Sequence, residues 1–438
     1  VSAALVLGLG VAGASAARQL AARGWEVVVA EDRPSDASRG RAAGLPGPVR
    51  VVDAPEEAVL AQLVDTSDVV VPSPGVPIGH PGIQRALARG VTVWTEFELA
   101  ARWSDVPMVA ITGTNGKTTV TTLVTAMLEA SGKRTVAAGN TDVPLVDVLT
   151  DDLDVVVVEA SSFRLEFTEA FRPAVAVWLN LAEDHLDWHP SMDAYAKAKA
   201  KVWSAQGPDD VAIANAEDPV VMQAAARVRS RVVTFGLHVG DWHVEGDRLV
   251  RPDGTTLVTA DELWRALPHD RTNALAAAAA ALAAGAGEEA VRRVLREFRG
   301  LPHRLALVGD HGGVRWYDDS KATDPHAAAA ALRSFDSAVL IAGGRNKGLD
   351  LTAMADEAAH VRAVVAIGEA AADIEAAFRP TVPVVVADSM DDAVARARSL
   401  AQVGDAVVLS PGCASFDWYR NYGERGDDFA RAVREAHA

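Results

Sequence analysis

Met108-Val109-Ala110-Ile111-Thr112-Gly113-Thr114-Asn115-Gly116-Lys117-Thr118-Thr119 is the stretch from which the fold can be read. Met108–Ile111 is a short, continuous apolar run, the pattern of a parallel strand buried on both faces. Two glycines break the run, and a helix is predicted over Thr119–Ser131. A glycine-rich turn at a helix start offers backbone N–H groups and the positive end of the helix dipole to a phosphate. Lys117 adds a full charge for terminal phosphates, and the Thr118 hydroxyl can reach Mg²⁺. Ile111 stands where the general Walker pattern has its first glycine, so this is a compact variant of that loop.

Strand–helix alternation continues in both directions through all 438 residues. Strands are expected at Ala4–Leu7, Glu26–Val29, Val69–Val71, Val155–Val158, Val175–Leu179 and Val211–Ala214. Others are expected at Val339–Ile341, Val364–Ile367, Val384–Val386 and Val407–Leu409. Such alternation implies an α/β fold with right-handed crossovers. One boundary is expected near Gly90–Trp94. The second falls at Gly300-Leu301-Pro302, where Gly and Pro stop a helix predicted over Glu288–Arg299. Three domains result, at 1–93, 94–299 and 300–438. The alanine run Ala276–Ala281 reads as part of a buried helix.

Composition bounds the function. Hydrophobic residues make up 49% and charged residues 23%, enough for a sizeable core. A net charge of −17 argues against a nucleic-acid protein, which needs a basic face. The one cysteine, Cys413, rules out an intrachain disulfide and fits a reducing compartment. Cys413 itself reads as a small buried residue. Ala3–Ala17 is apolar and contains Ala14-Ser15-Ala16, but no positive charge precedes it as a secretory signal requires. Ala274–Ala284 is too short to span a bilayer. A cytoplasmic location without a membrane span is therefore expected.

Three further constellations carry chemistry. Gly8-Leu9-Gly10-Val11-Ala12-Gly13, followed by Glu31-Asp32, fits the dinucleotide fingerprint, although alone it is weak evidence for NAD. Glu159, in Glu159-Ala160-Ser161-Ser162-Phe163, follows a buried strand and is well placed to hold Mg²⁺. His185, in Leu179-Asn180-Leu181-Ala182-Glu183-Asp184-His185-Leu186-Asp187, could serve a second metal with nearby carboxylates. Read alone, His185 is a hydrogen-bonded loop histidine; beside Glu159 and the phosphate loop it reads as a ligand. The helix Asp193–Trp203 carries Lys197, Lys199 and Lys201, whose simplest reading is a solvated cationic face.

Gly113-Thr114-Asn115-Gly116-Lys117-Thr118-Thr119 resembles the ATP loop of the Mur ligases and their folylpolyglutamate synthetase relatives. That family couples ATP hydrolysis to amide bonds through an acyl phosphate, and the resemblance extends over essentially the whole chain. It implies a Rossmann-like N-terminal domain, a central P-loop ATPase-type domain with a mostly parallel sheet, and a Rossmann-like C-terminal domain. It implies ATP and two Mg²⁺ ions, with Thr118, Glu159, His185 and Lys199 as metal ligands and Lys117 beside them in catalysis. Lys199, four positions after Tyr195, matches the lysine that the family modifies with CO₂ to a carbamate. Gly113, Thr114, Asn115, Gly116, Lys117, Thr118, Thr119, Asn273, Arg304 and Asp319 are the implied ATP contacts. In His269-Asp270-Arg271-Thr272-Asn273-Ala274 the family usually has Asn at the Asp270 position, a departure that puts any ATP contact by Asp270 in doubt.

The same resemblance assigns UDP to Val11, Ala12, Asp32, Arg33, Ser73 and Gly75, and the substrate nearer the reaction to Asn140 and Ser161. The segment Asp318-Asp319-Ser320-Lys321-Ala322-Thr323-Asp324-Pro325 is similar to the branch that adds D-glutamate to UDP-N-acetylmuramoyl-L-alanine. On that reading Lys321 binds substrate and Thr323, Lys347, Ser415 and Tyr422 hold the incoming amino acid, and a dicarboxylate needs such cations and hydroxyl donors. A monomer with small-molecule partners is implied. A sibling ligase or folylpolyglutamate synthetase-like enzyme using another amino acid stays open. An NAD-binding oxidoreductase leaves the second phosphate loop unexplained, and a non-catalytic homologue is disfavoured by Lys117, Glu159, His185 and Lys199 together.

Overall fold

The computed structural model describes residues 2–149, 152–186 and 188–437; Asp187, one of the carboxylates beside His185, lies outside them. The chain forms two compact units. The first comprises Val1–Leu181, His185–Ala266 and Asp270–Phe298, and the second Ala182–Asp184, Leu267–His269 and Arg299–Ala438.

The first unit holds two parallel sheets. One contains β1 (Ala3–Leu7), β2 (Glu26–Glu31), β3 (Val49–Asp53), β4 (Val69–Pro72) and β5 (Thr92–Val93), in the order β3-β2-β1-β4-β5. The other contains β6 (Met108–Thr112), β7 (Thr135–Gly139), β8 (Val155–Glu159), β9 (Val175–Trp178), β10 (Val211–Asn215) and β11 (Arg231–Phe235), in the order β11-β10-β9-β6-β8-β7. Every residue of β6 and β8 is buried, which is why both read as unbroken apolar runs. The helix Pro268–Ala283 covers this sheet, and its alanines Ala276–Ala281 are all buried as expected. A small antiparallel sheet follows the central one in sequence: β12 (His243–Glu245), β13 (Arg248–Val250) and β14 (Thr256–Thr259).

The second unit is one six-stranded sheet of β15 (Ala306–His311), β16 (Val314–Asp318), β17 (Ala338–Gly343), β18 (Val361–Ile367), β19 (Val384–Ala387) and β20 (Ala406–Leu409). Its order is β15-β16-β20-β17-β18-β19, with only β15 antiparallel to its neighbour.

All eleven expected strands are present. Of the strands not expected, β5 has only two residues, and β3 and β11 carry Arg50, Asp53 and Arg231 on solvated sheet edges. The predicted helix limits shift by one or two residues. The phosphate-loop helix begins at Lys117 rather than Thr119, because Gly116 at φ +87° already starts it. The helix predicted to Arg299 stops at Glu297. Among the described residues no helix is long and apolar enough to cross a membrane.

Candidate active site

Four neighbouring strands of the central sheet place their carboxyl ends in a row. β9 pairs with β6, β6 with β8, and β8 with β7, so Trp178 lies opposite Thr112, Ile111 opposite Glu159, and Glu159 opposite Gly139. The residues that follow these ends are Asn180, the phosphate loop, Glu159 with Ser161, and Asn140. This is the edge at which open α/β sheets bind ligands.

The phosphate loop is held from beneath. The Asn180 side-chain oxygen accepts the N–H groups of Thr114 at 3.0 Å and Asn115 at 2.9 Å, and its amide donates to the Asn115 carbonyl at 3.1 Å. Two lysines converge on the inward carbonyls. Lys117 Nζ donates to Gly113 at 2.8 Å and Thr114 at 2.7 Å, while Lys199 Nζ donates to Gly113 at 2.8 Å. Gly116 must be glycine: a Cβ there would stand 2.7 Å from Asn273 Oδ1, and φ is +87°. That close approach also brings the predicted Asn273 to the loop. Thr118 and Thr119 occupy the first turn of the helix behind it.

Among three closely spaced lysines the structure singles out Lys199. It is 1% exposed, whereas the Lys197 side chain is 75% exposed and pairs with Asp193. Lys199 Nζ lies 4.4 Å above the Tyr195 ring. His185, at φ +55°, meets the Phe163 ring edge-on at 4.7 Å and faces Tyr195 at 6.1 Å.

Glu159 is buried and oriented by Asn140, whose Nδ2 donates to Oε1 at 2.9 Å and whose backbone N–H donates to the Glu159 carbonyl at 2.8 Å. The other carboxylate oxygen, Oε2, and the buried Ser161 hydroxyl have no hydrogen-bond partner among the described residues. A buried carboxylate oxygen left this way suits a hard cation. Among the described residues no three His, Cys, Asp or Glu side chains form a metal cluster. The expected set differs in kind, with a threonine hydroxyl, one carboxylate, one histidine and a lysine. Of these, the threonine hydroxyl and the carboxylate are oxygen donors, and beside a phosphate loop they fit Mg²⁺ and a nucleotide.

In the N-terminal sheet the turn after β1 approaches β4 closely. A Cβ on Gly13 would stand 2.2 Å from the Gly8 carbonyl and from Ser73 Oγ, and Ser73 Oγ donates to that carbonyl at 2.8 Å. A cavity of about 470 Å³ opens beside the turn, lined by Gly8, Glu31, Asp32, Arg33, Gly75 and His80 among others. Asp32, Arg33 and Gly75, which the resemblance assigns to UDP, share this cavity. Val11 is exposed and Ala12 buried at the start of the adjacent helix.

In the second unit three predicted segments follow β16, β17 and β20, which are adjacent in the sheet and parallel. Lys321 Nζ sits 5.3 Å over the Tyr422 ring. Asp319 is buried, accepting from the Leu305 N–H at 3.1 Å and Ser410 Oγ at 2.7 Å. Arg304 follows His303, which is at φ +59° and pairs with Asp318 at 2.7 Å. Ser415 is buried, Lys347 exposed, and Thr323 half-buried. Cys413 is buried as expected, and burial pushes its thiol up to about 12.

Four residues escaped the sequence reading. Asn180 supports the phosphate loop. His189 is buried with Nε2 2.9 Å from Ser162 Oγ, and burial, then Lys199 and His185, pulls its pKa down to about 4. Arg425, 1% exposed, joins Ser320 to Cys413 through donors to Ser320 Oγ, Ser320 O and Cys413 O. His80 lines the N-terminal cavity. Asn180 lies in the stretch quoted for His185, where nothing in the spacing marks it, and the other three lie outside the quoted motifs, so only contact could reveal their roles. Asp270, the departure noted above, is 2% exposed and forms a two-point ion pair with Arg265 at 2.6 and 2.8 Å. It serves as a structural partner to Arg265.

Comparison with known proteins gives matches along the chain. Residues 2–95 match the Mur ligase MurD-like N-terminal domain, 111–281 the Mur ligase middle domain, and 303–413 the Mur ligase, glutamate ligase domain. A UDP-N-acetylmuramoylalanine--D-glutamate ligase of Frankia casuarinae is 45% identical, covering 98% of this chain and 93% of that protein. One of Thermobifida fusca is 41% identical, covering 98% and 97%. Among solved structures, a pseudomurein peptide ligase type C of Methanothermus fervidus has a TM-score of 0.62 at 16% identity and covers 100% of both chains. MurF of Acinetobacter baumannii has a TM-score of 0.62 at 19% identity, covering 98% of this chain and 90% of its own. At those identities the structures share the fold.

Proposed function

This chain belongs to the Mur ligase family, and from that membership we infer that it is an ATP-dependent ligase joining D-glutamate to UDP-N-acetylmuramoyl-L-alanine, a step of peptidoglycan precursor synthesis. The observation that carries the reading is the row of Asn180, Gly113–Lys117, Glu159 and Asn140 on one sheet edge, with Lys199 buried against it. An NAD-dependent oxidoreductase has no use for this second phosphate site.

The L-alanyl carboxylate attacks the γ-phosphorus of ATP, ADP leaves, and an acyl phosphate forms. The amine of D-glutamate then attacks the acyl carbon, and phosphate departs with the amide bond made. With the Thr114 and Asn115 N–H groups held by Asn180, the N–H groups at the helix start around Gly116 and Lys117 take the phosphates, and Lys117 exchanges its carbonyl partners for phosphate oxygens. Asn180 keeps the loop in shape, so its donors need no reorganisation during the reaction. Thr118, Glu159, His185 and a carbamylated Lys199 would hold Mg²⁺, which when bound neutralises charge on the transferring phosphoryl group. Asn140 fixes the Glu159 carboxylate through Oε1 and leaves Oε2 available to such an ion.

Carbamylation converts Lys199 from a buried cation, costly in an apolar site, into an oxygen ligand. The domain at 1–93 takes the UDP moiety through Val11, Ala12, Asp32, Arg33, Ser73 and Gly75. The domain at 94–299 takes ATP, with Asn140 and Ser161 toward the L-alanyl end. The domain at 300–438 supplies Arg304 and Asp319 for ATP, Lys321 for substrate, and Thr323, Lys347, Ser415 and Tyr422 for glutamate. The enzyme works in the cytoplasm, as a monomer.

Phosphate release from ATP tests the reading. It is expected only with UDP-N-acetylmuramoyl-L-alanine and D-glutamate together, not with L-glutamate, L-alanine or a diamino acid. Release with another amino acid keeps the family and moves the substrate. Silence with every amino acid from folded, ATP-binding protein supplied with bicarbonate sinks the catalytic reading.

A further inference from the structure

We propose that His80 is a positioning residue for the UDP moiety, holding the Asp32 carboxylate as a fixed acceptor for a ligand N–H or O–H; this rests on the ligase reading above.

The acidic pair after β2 divides its work. Glu31 Oε2 accepts the Leu9 N–H at 2.6 Å and Oε1 accepts the Arg33 N–H at 3.0 Å, so both oxygens tie the turn together. Asp32 remains the acceptor that faces the cavity, and its side chain is 49% exposed. Its Oδ2 lies 2.7 Å from His80 Nε2. Oδ1 has no hydrogen-bond partner among the described residues.

Helix capping fixes the imidazole tautomer. His80 is the N-cap of the helix Pro81–Arg89. Pro81 has no N–H to cap, and the Gly82 N–H donates to His80 Nδ1 at 3.1 Å. An Nδ1 that accepts carries no proton, so the neutral ring bears its proton on Nε2 and donates it to Asp32. The ring cannot easily turn away. His80 is 8% exposed, and its ring packs so closely on Gly82 that a Cβ there would stand 3.1 Å from Nδ1. A capping bond, a buried ring and an ionised acceptor therefore form one chain ending in the cavity. Asp32 is prevented from rotating into solvent, and one oxygen stays aimed at the ligand.

Two substitutions separate this role from capping. His80→Asn keeps a capping acceptor but is too short to reach Asp32. His80→Gln offers an amide N–H near the position of Nε2. Calorimetric binding of UDP-N-acetylmuramoyl-L-alanine should weaken about ten-fold in His80→Asn, the size of one lost bond to a charged group. The KM for the UDP-sugar should rise in parallel, while kcat and the KM values for ATP and D-glutamate stay near wild type. His80→Gln should restore part of the affinity, and His80→Asn should add nothing further in an Asp32→Asn background. Wild-type affinity in His80→Asn overturns the proposal, as does an equal rise in all three KM values. Wild-type protein that binds no UDP-sugar overturns the ligase reading itself.

Discussion

Lys199 Nζ and the Gly113 carbonyl oxygen lie 2.8 Å apart, joining a buried lysine of the helix Met192–Ser204 to the first glycine of the phosphate loop. Lys117 reaches the same carbonyl, also at 2.8 Å. The two lysines differ in what each can become. Lys117 is half-buried at a helix start, where a phosphate can meet it, whereas Lys199 is enclosed.

The proposed carbamylation of Lys199 predicts that turnover depends on dissolved CO₂. Activity assayed in degassed, bicarbonate-free buffer should fall and recover on adding bicarbonate. Lys199→Arg, which keeps the charge but forms no carbamate, should lose about 100-fold or more in kcat. Lys197→Ala, a change at an exposed ion pair, should be near wild type. Equal losses in the two variants would remove the special role of Lys199.

Lys117→Ala should lower kcat by about 10²–10³. UDP-sugar affinity measured by calorimetry should hold, because that site belongs to a different sheet. A wild-type-like rate would refute the phosphate-loop assignment.

Asp270→Asn separates stability from nucleotide binding. The Arg265 partnership is buried on the Asp270 side, so the substitution should cost about 1–3 kcal/mol in chemical denaturation. The KM for ATP should change little. A large KM effect at unchanged stability would return Asp270 to the nucleotide site.

Asp154 links the starts of β7 and β8. Its carboxylate accepts the Arg134 N–H at 2.8 Å and a guanidinium nitrogen at 2.9 Å, and these bonds hold its pKa down at about 2, below the ordinary 3.8. A depressed carboxylate favours the folded state above pH 3.8 and loses that contribution as pH falls through about 2. Asp154→Asn should therefore be less stable than wild type at pH 6, with the gap closing toward pH 2. A gap independent of pH would show that the carboxylate charge is not involved.

Legibility followed locality. Gly116 needs a left-handed backbone at a helix start, and that requirement is written in the order Gly-Lys-Thr-Thr. Continuous Val runs such as Val155–Val158 mark strands buried on both faces wherever they occur. The strand Arg231–Phe235 escaped notice because its apolar run is only Val232-Val233 before a threonine, at a sheet edge where Arg231 and Val232 are exposed. Arg425 was missed because its partners, Ser320 and Cys413, are 105 and 12 residues away.

By itself the sequence determined the α/β class, eleven strands, the phosphate loop and the family resemblance, since each depends on short-range backbone preference, apolar runs or contiguous motifs. Tertiary structure alone decided which lysine is enclosed. Lys197, Lys199 and Lys201 lie two residues apart on a helix that turns about 100° per residue, so they point in different directions. Which direction is inward depends on where the helix meets the sheet, and that contact places Lys199 on Gly113 and leaves Lys197 in solvent. The same holds for His80, whose reach to Asp32 crosses 48 residues of chain and arises only when β2 and the helix after β4 come together at one end of a sheet.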